Sequence, residues 1–221
     1  LLHVDSAKVF VAPCGVDSSF YCPSSTDEAE AKAEREYLSK IGLSSSFVLY
    51  VGTLEPRKNV STLIRAFEKA ASLLPATKLV LAGGVGWHSE DTMKLISDSP
   101  VKDRIVQTGY VTDVQKRALF RACKVFVFPS LYEGFGMPVS EAMACGTNVI
   151  CSNSSSLPEV SSNKAILLDP MDVEGFASSI VASVEGKAVS YTKAELSLAV
   201  SKYTWEKTAQ GFMNALNYVR S

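Results

Sequence analysis

The strongest restriction on the fold of this chain is a repeating order of short apolar runs, glycine- or proline-bearing loops and amphipathic stretches. Phe47–Val51 holds five apolar residues and no charge. Runs of that kind form strands covered on both faces, as parallel sheets require. A loop over 52–59 follows, after which Val60, Leu63, Ile64, Phe67 and Ala71 recur at helical spacing. The order then repeats. A strand over 78–82 leads through Gly83 and Gly84 to a helix over 90–97. A strand over 104–108 leads through 109–113 to a helix that Thr112 or Asp113 caps and that runs to Ala122. Strands over 125–128, 148–151 and 165–168 complete the set, with helices expected over 156–160 and from Asp172 to about Val184. Six such strands interleaved with helices predict an α/β chain, a Rossmann-like doubly wound parallel sheet.

The flanks carry other patterns. Residues 8–12 alternate like a strand and run into a turn-rich 13–17. Residues 26–41 form a charged, Ala- and Glu-rich helix with Thr26 or Asp27 as cap, and 204–220 a last amphipathic helix capped by Thr204. Phe10, Phe67, Phe120 and Trp205 are expected in the core, and Trp87-His88 on the surface.

In a doubly wound sheet ligands sit beyond the carboxyl ends of the strands, where the strand order reverses. The loops 52–59, 109–113 and 129–136 each follow a strand and so converge on one edge. The last is the most informative. Pro129 ends a strand, Glu133-Gly134-Phe135-Gly136 forms a loop, and Met137-Pro138 opens a helix in which Glu141 lies about one turn along. A helix N-terminus carries free N–H groups and partial positive charge, which suits phosphate or sugar oxygens. On the sequence pattern, Arg57 and Lys58 open the helix after 52–56, where cations oppose the helix dipole. Such a local conflict points to an anion held between them, the plainer alternative being an exposed basic pair. An unpaired Glu141 on an otherwise apolar helix would be costly, which favours a ligand partner. Asp113 reads equally well as a helix cap.

Composition narrows the classes. In 221 residues the net charge is -1 and the hydrophobic content 47%, with no basic run to serve a nucleic acid and no apolar segment of the roughly 20 residues that span a bilayer. Five cysteines without Cys-x-x-Cys spacing and two histidines give no zinc pattern and suit a reducing, cytoplasmic setting. Leu1 to Asp5 lack the regions of a secretory signal, and the abrupt start reads as a fragment.

Glu133 and Glu141, separated by seven residues that include Gly134-Phe135-Gly136 and Pro138 and followed by Ala142-Met143-Ala144, resemble the signature of the retaining glycosyltransferases of family 4, which have the GT-B fold. The likeness extends through Ser154 to Val160 and Ile166 to Pro170, treated as scaffold. It implies that residues 1–23 link two domains, that 24–221 are the Rossmann-like donor-binding half of a GT-B fold, and that the N-terminal acceptor domain is absent. It further implies that Arg57 and Lys58 grip the diphosphate of a nucleotide sugar and that Glu133, with the amides of Gly134, Phe135 and Gly136, binds the transferred sugar. Glu141 would hold the ribose hydroxyls, Val111 would pack on the base, and Gly52, Thr53, Asp113 and Lys116 would complete the pocket. Relatives can carry an arginine at the position of Thr53. They favour proline at that of Asn148 and a glycine turn at 161–164, where Asn163 can take the required conformation.

The loops 52–59 and 130–136 are most similar to those of bacterial polysaccharide mannosyltransferases. That implies a hexosyltransferase using GDP-mannose, or alternatively a UDP-sugar, with a glycan or lipid-linked acceptor reached through the other domain. No cofactor, metal or nucleic acid is implied, and the full-length protein could be peripheral at a membrane. A non-catalytic nucleotide-sugar-binding module and a sugar-nucleotide epimerase remain as rivals. The chain alone is expected to be inactive.

Overall fold

A computed structural model describes residues 5–24, 27–43 and 46–220. Strands β1 (Phe47–Val51), β2 (Lys78–Ala82), β3 (Ile105–Gly109), β4 (Val125–Phe128), β5 (Val149–Ser152) and β6 (Ile166–Leu168) form one parallel sheet. Their spatial order is β3-β2-β1-β4-β5-β6. The direction of winding therefore reverses between β1 and β4, and the crevice of a doubly wound sheet opens beyond their carboxyl ends. Every residue of β1 and of β4 is buried, which explains their freedom from charge. Tyr50, Phe126 and Phe128 stack along this centre, with ring centroids 6.1 and 5.7 Å apart.

The helices are α1 (Glu28–Lys40), α2 (Val60–Ala71), α3 (Glu90–Asp98), α4 (Asp113–Ala122), α5 (Met137–Ala144), α6 (Leu157–Val160), α7 (Val173–Val184), α8 (Lys193–Val200) and α9 (Trp205–Arg220). The periodic face of α2 is the face it buries, with Leu63, Ile64 and Phe67 fully enclosed. Helix α5 has no polar face because it is buried nearly all round, between the sheet and α8. Sequence periodicity did not point to α8, although Thr192 and Glu195 form a reciprocal capping box at its start.

Several expectations are corrected. The strand over 8–12 is instead a 3-10 turn, Ser6–Lys8, followed by irregular chain. That segment meets no sheet edge and lies along α9, where Thr208 Oγ1 donates to the Pro13 carbonyl at 2.5 Å. A Cβ on Gly211 would stand 2.7 Å from the Val11 carbonyl. Phe67 and Phe120 are core residues, whereas Phe10 and Trp205 are 38% and 51% exposed; Phe10 rests on the Tyr218 ring of α9. The third strand starts one residue later than expected because Lys102–Arg104 forms a 3-10 turn. The Arg104 guanidinium donates to the carbonyls of Ala71, Leu74 and Thr77, tying down the end of α2. Thr26 lies outside the described residues; Asp27 accepts from the Ala29 amide and caps α1. At 161–164 both Ser162 and Asn163 adopt left-handed backbone, as the missing glycine requires. Asn148 accepts from the Tyr191 amide at 3.1 Å, a bond proline could not make.

Charge joins α1 to α4. Arg117, 3% exposed, bonds to Glu30 and, at 3.0 Å, to Glu34, and Arg121 reaches Glu34 at 2.7 Å. No described helix is long and apolar enough to cross a membrane.

Candidate active site

The loops after β1 and β4 meet at the reversal point. Gly52 leaves β1 at φ +153°, and a Cβ there would stand 2.8 Å from the Tyr50 hydroxyl. That hydroxyl donates to the Thr53 carbonyl at 3.1 Å; the Thr53 side chain is exposed. A 3-10 turn, Pro56–Lys58, follows, then Asn59 in left-handed backbone, and only then α2. Arg57 and Lys58 thus precede the helix instead of opening it, a correction to the sequence pattern. Asn59 is locked there by bonds from its side-chain amide to the carbonyls of Pro129 and Pro170.

The two cations converge on Glu133. Lys58 Nζ lies 2.7 Å from Glu133 Oε1, Arg57 Nη1 3.1 Å from Oε2, and Arg57 Nη2 2.8 Å from Glu55 Oε1. Glu133 is 8% exposed and also accepts from Ser130 Oγ at 2.7 Å. The conflict expected of two adjacent cations is therefore met inside the chain, by a carboxylate 75 residues away. Arg57's pKa is raised: partial burial opposes its charge, and the Glu133 and Glu55 carboxylates outweigh that.

The Glu133 loop is laced to its neighbours. Leu131 donates to the Arg57 carbonyl, Arg57 donates to the Tyr132 carbonyl, and the Glu133 amide donates to Ser155 Oγ at 2.9 Å. Ser154 and Ser156 bond to carbonyls of Ser130, Leu131, Glu133 and Phe135. The stretch read as scaffold thus braces this loop. Gly136 caps α5 at φ +100°, while nothing lies within 4 Å of where a Cβ on Gly134 would stand. The amides of Gly134, Phe135 and Gly136 donate to no described group. Backbone donors left without a partner at a helix N-terminus can receive ligand oxygens. The Phe135 ring packs edge-on against Tyr203 at 5.1 Å.

A second polar cluster lies farther along α5. Glu141 is 5% exposed but not unpaired: Lys116 Nζ lies 2.9 Å from its Oε1 and 3.2 Å from Asp113 Oδ1. Burial raises the Glu141 pKa, with Lys116 acting against it. Asp113 is lowered by its bond to Lys116. These three residues line a cavity of about 530 Å³ with Tyr21, Met137 and Trp205, within the size range of small-ligand sites. Thr112 caps α4 with Gln115 in a reciprocal box, so Asp113 is not the cap. Val111 packs partly buried against the core, whereas Thr112, Asp113 and Val114 reach the cavity wall. Arg57, Lys58 and Glu133 form one cluster; Asp113, Lys116 and Glu141 form the other. Both lie at the carboxyl edge of the sheet, and the loop and helix 133–141 join them. Tyr21 had not been singled out; its signal was an aromatic pair, Phe20-Tyr21, just after an Asp17 turn. Among the described residues no group of three or more His, Cys, Asp or Glu is placed to hold a metal ion.

The sequence profile of the family described as "Glycosyl transferases group 1" matches residues 35–216. The chain belongs to this family. The group 1 glycosyl transferase chain is 35% identical over 204 residues to the O-antigen chain mannosyltransferase B of Escherichia coli, covering 90% of this chain and 51% of that protein. It is 35% identical over 189 residues to the serotype-specific mannosyltransferase WbdA of Escherichia coli, covering 80% of this chain and 23% of that protein. It thus spans about half the length of the first relative and less than a quarter of the second. Its fold matches that of the sucrose-phosphate synthase from Thermosynechococcus elongatus with a TM-score of 0.74 at 26% identity, over 95% of this chain and 53% of that one. This parallel sheet with its helices is one half of a GT-B fold, and the chain is similar in sequence to bacterial polysaccharide mannosyltransferases.

Proposed function

We propose that this chain is the donor-binding part of a retaining hexosyltransferase that takes mannose from GDP-mannose. The observation that carries the reading is the meeting of Arg57, Lys58 and Glu133 at the reversal point of the sheet, beside the free amides of 134–136. The diphosphate draws Arg57 and Lys58 away from Glu133, and the released carboxylate accepts hydroxyls of the sugar. Glu141, with Lys116 fixing one of its oxygens, takes the ribose diol through the other; two hydroxyls on one carboxylate make a charge-assisted contact. In transfer, the bond from the anomeric carbon to the phosphate oxygen breaks. The acceptor oxygen bonds that carbon on the same face, and its proton passes to the departing phosphate. No separate base is needed. The two cations stabilise the charge that develops on the diphosphate, and the loop holds the sugar for attack. A metal is not required for that neutralisation. The acceptor, a glycan or a lipid-linked one, is held by a second domain for which residues 1–23 serve as linker.

The names of the mannosyltransferase relatives favour mannose, and their match runs through both site loops. Isothermal calorimetry of the folded chain with GDP, UDP, GDP-mannose and UDP-glucose is the test. The guanosine ligands should bind more tightly. Tighter binding of the uridine pair would reassign the donor, and no binding of any of the four would end the reading.

A further inference from the structure

Tyr21 falls in the segment assigned above to a linker, yet it is 6% exposed and lines the 530 Å³ cavity. Its hydroxyl donates to Asp113 Oδ1 at 3.2 Å and stands beside the Glu141 carboxylate. Lys116 Nζ sits 5.2 Å from the centre of its ring. Tyr21, Asp113, Lys116 and Glu141 thus close one network across 120 residues of sequence. The network stands on a firm base. Asp17 accepts from the amides of Ser19 and Phe20, and its carbonyl accepts from Tyr21 N at 2.7 Å. The Phe20 ring meets Tyr21 edge-on at 5.0 Å and lies under the Arg117 guanidinium at 4.3 Å. Arg121 donates to the Cys22 carbonyl at 2.8 Å. The ion pairs that join α1 to α4 therefore also fix residues 20–22, and through them the Tyr21 hydroxyl.

We propose that Tyr21 is a positioning residue for ribose recognition: it holds Asp113 and Lys116 so that Glu141 faces a ligand's 2′,3′-diol. Without the hydroxyl, Asp113, whose side chain is 75% exposed, is free to leave the cavity. Lys116 then follows either acid, and Glu141 loses its fixed orientation. A residue that merely formed the cavity wall would affect all ligands alike, whereas a positioning residue affects those that carry the 2′-hydroxyl. The inference rests on the nucleotide-sugar reading of the site.

The experiment compares the nucleoside diphosphate that the wild-type chain binds better, GDP or UDP, with its 2′-deoxy form, by calorimetry. Wild type should prefer the ribonucleotide. Tyr21→Phe should weaken it about five- to tenfold, the scale of one lost hydrogen bond of ordinary strength. It should change the deoxy form less than twofold, so the preference collapses. Asp113→Asn, which removes the charged acceptor, should lower the same ratio and serves if Tyr21→Phe does not fold. Tyr21→Leu should weaken both forms. A Tyr21→Phe chain that keeps the ribose preference, or that weakens both forms equally, overturns the proposal. So does a wild type that binds both forms equally. A wild type that binds neither GDP nor UDP instead removes the nucleotide reading, and this inference with it.

Discussion

Replacing Glu133 by glutamine keeps the shape of the side chain and removes the charge on which Arg57 and Lys58 converge. Lys58 is 14% exposed and meets Glu133 at 2.7 Å, so its charge-assisted bond contributes about 2 kcal/mol. Arg57 is 44% exposed and keeps Glu55 at 2.8 Å, so solvent screening reduces its share to about 0.5 kcal/mol. The ligand-free protein should lose about 2–3 kcal/mol, a fall in Tm of roughly 5–10 °C for a chain of this length. Inorganic pyrophosphate should then do the opposite of what it does to a damaged site. The two cations no longer have to leave an internal partner, so the variant binds pyrophosphate more tightly. A fivefold gain in affinity adds about 1 kcal/mol of stabilisation at saturation. Thermal unfolding of wild type and Glu133→Gln across a pyrophosphate series reads both quantities. An unchanged ligand-free Tm would refute the ion-pair assignment. A smaller pyrophosphate shift in the variant would refute Glu133 as the internal competitor of phosphate.

Glu141 makes a pH prediction, because burial raises its pKa above the ordinary 4.5. Its folded state takes up a proton before its unfolded state does, so acidification toward 4.5 should stabilise wild type relative to Glu141→Gln. Nucleotide affinity should fall over the same interval in wild type and stay level in the variant; calorimetry and melting curves between pH 7 and 4.5 check both. Gly83→Ala should cost about 3 kcal/mol or more, since at φ +150° its Cβ would meet the Gly52 carbonyl oxygen at 2.0 Å; urea unfolding measures it. Arg117→Ala removes a buried partner of Glu30 and Glu34 and the cation over Phe20. Arg121 still serves Glu34, so a loss of about 3 kcal/mol is expected in the same assay, and a loss below 1 kcal/mol would contradict the clamp.

The sheet was legible because burial on both faces leaves a local mark: Phe47–Val51 and Val125–Phe128 contain no charge and are enclosed on every residue. The glycine loops were legible for a similar reason, since Gly52 and Gly136 hold backbone angles that other residues resist. What was not legible was pairing over distance. Glu141 reads as an acid in need of a ligand, and the resemblance gives Glu133 to the sugar, yet each has a cation from another loop or helix. The acids of α1 likewise give no sign in the sequence of their partners, Arg117 and Arg121 of α4. Spacing along the chain carries no information on which cation crosses to which acid. The strand misread over 8–12 has the same origin: alternation predicts two unlike faces, and α9 supplied the partner that a sheet would have supplied.

The most direct measurement is a crystal structure of this chain with the bound nucleotide sugar. The diphosphate should lie within hydrogen-bond reach of both Arg57 Nη1 and Lys58 Nζ, with the ribose diol on Glu141 and Glu133 turned from the cations to the sugar. A diphosphate bound elsewhere, with the Arg57–Glu133–Lys58 contacts unbroken, would contradict it.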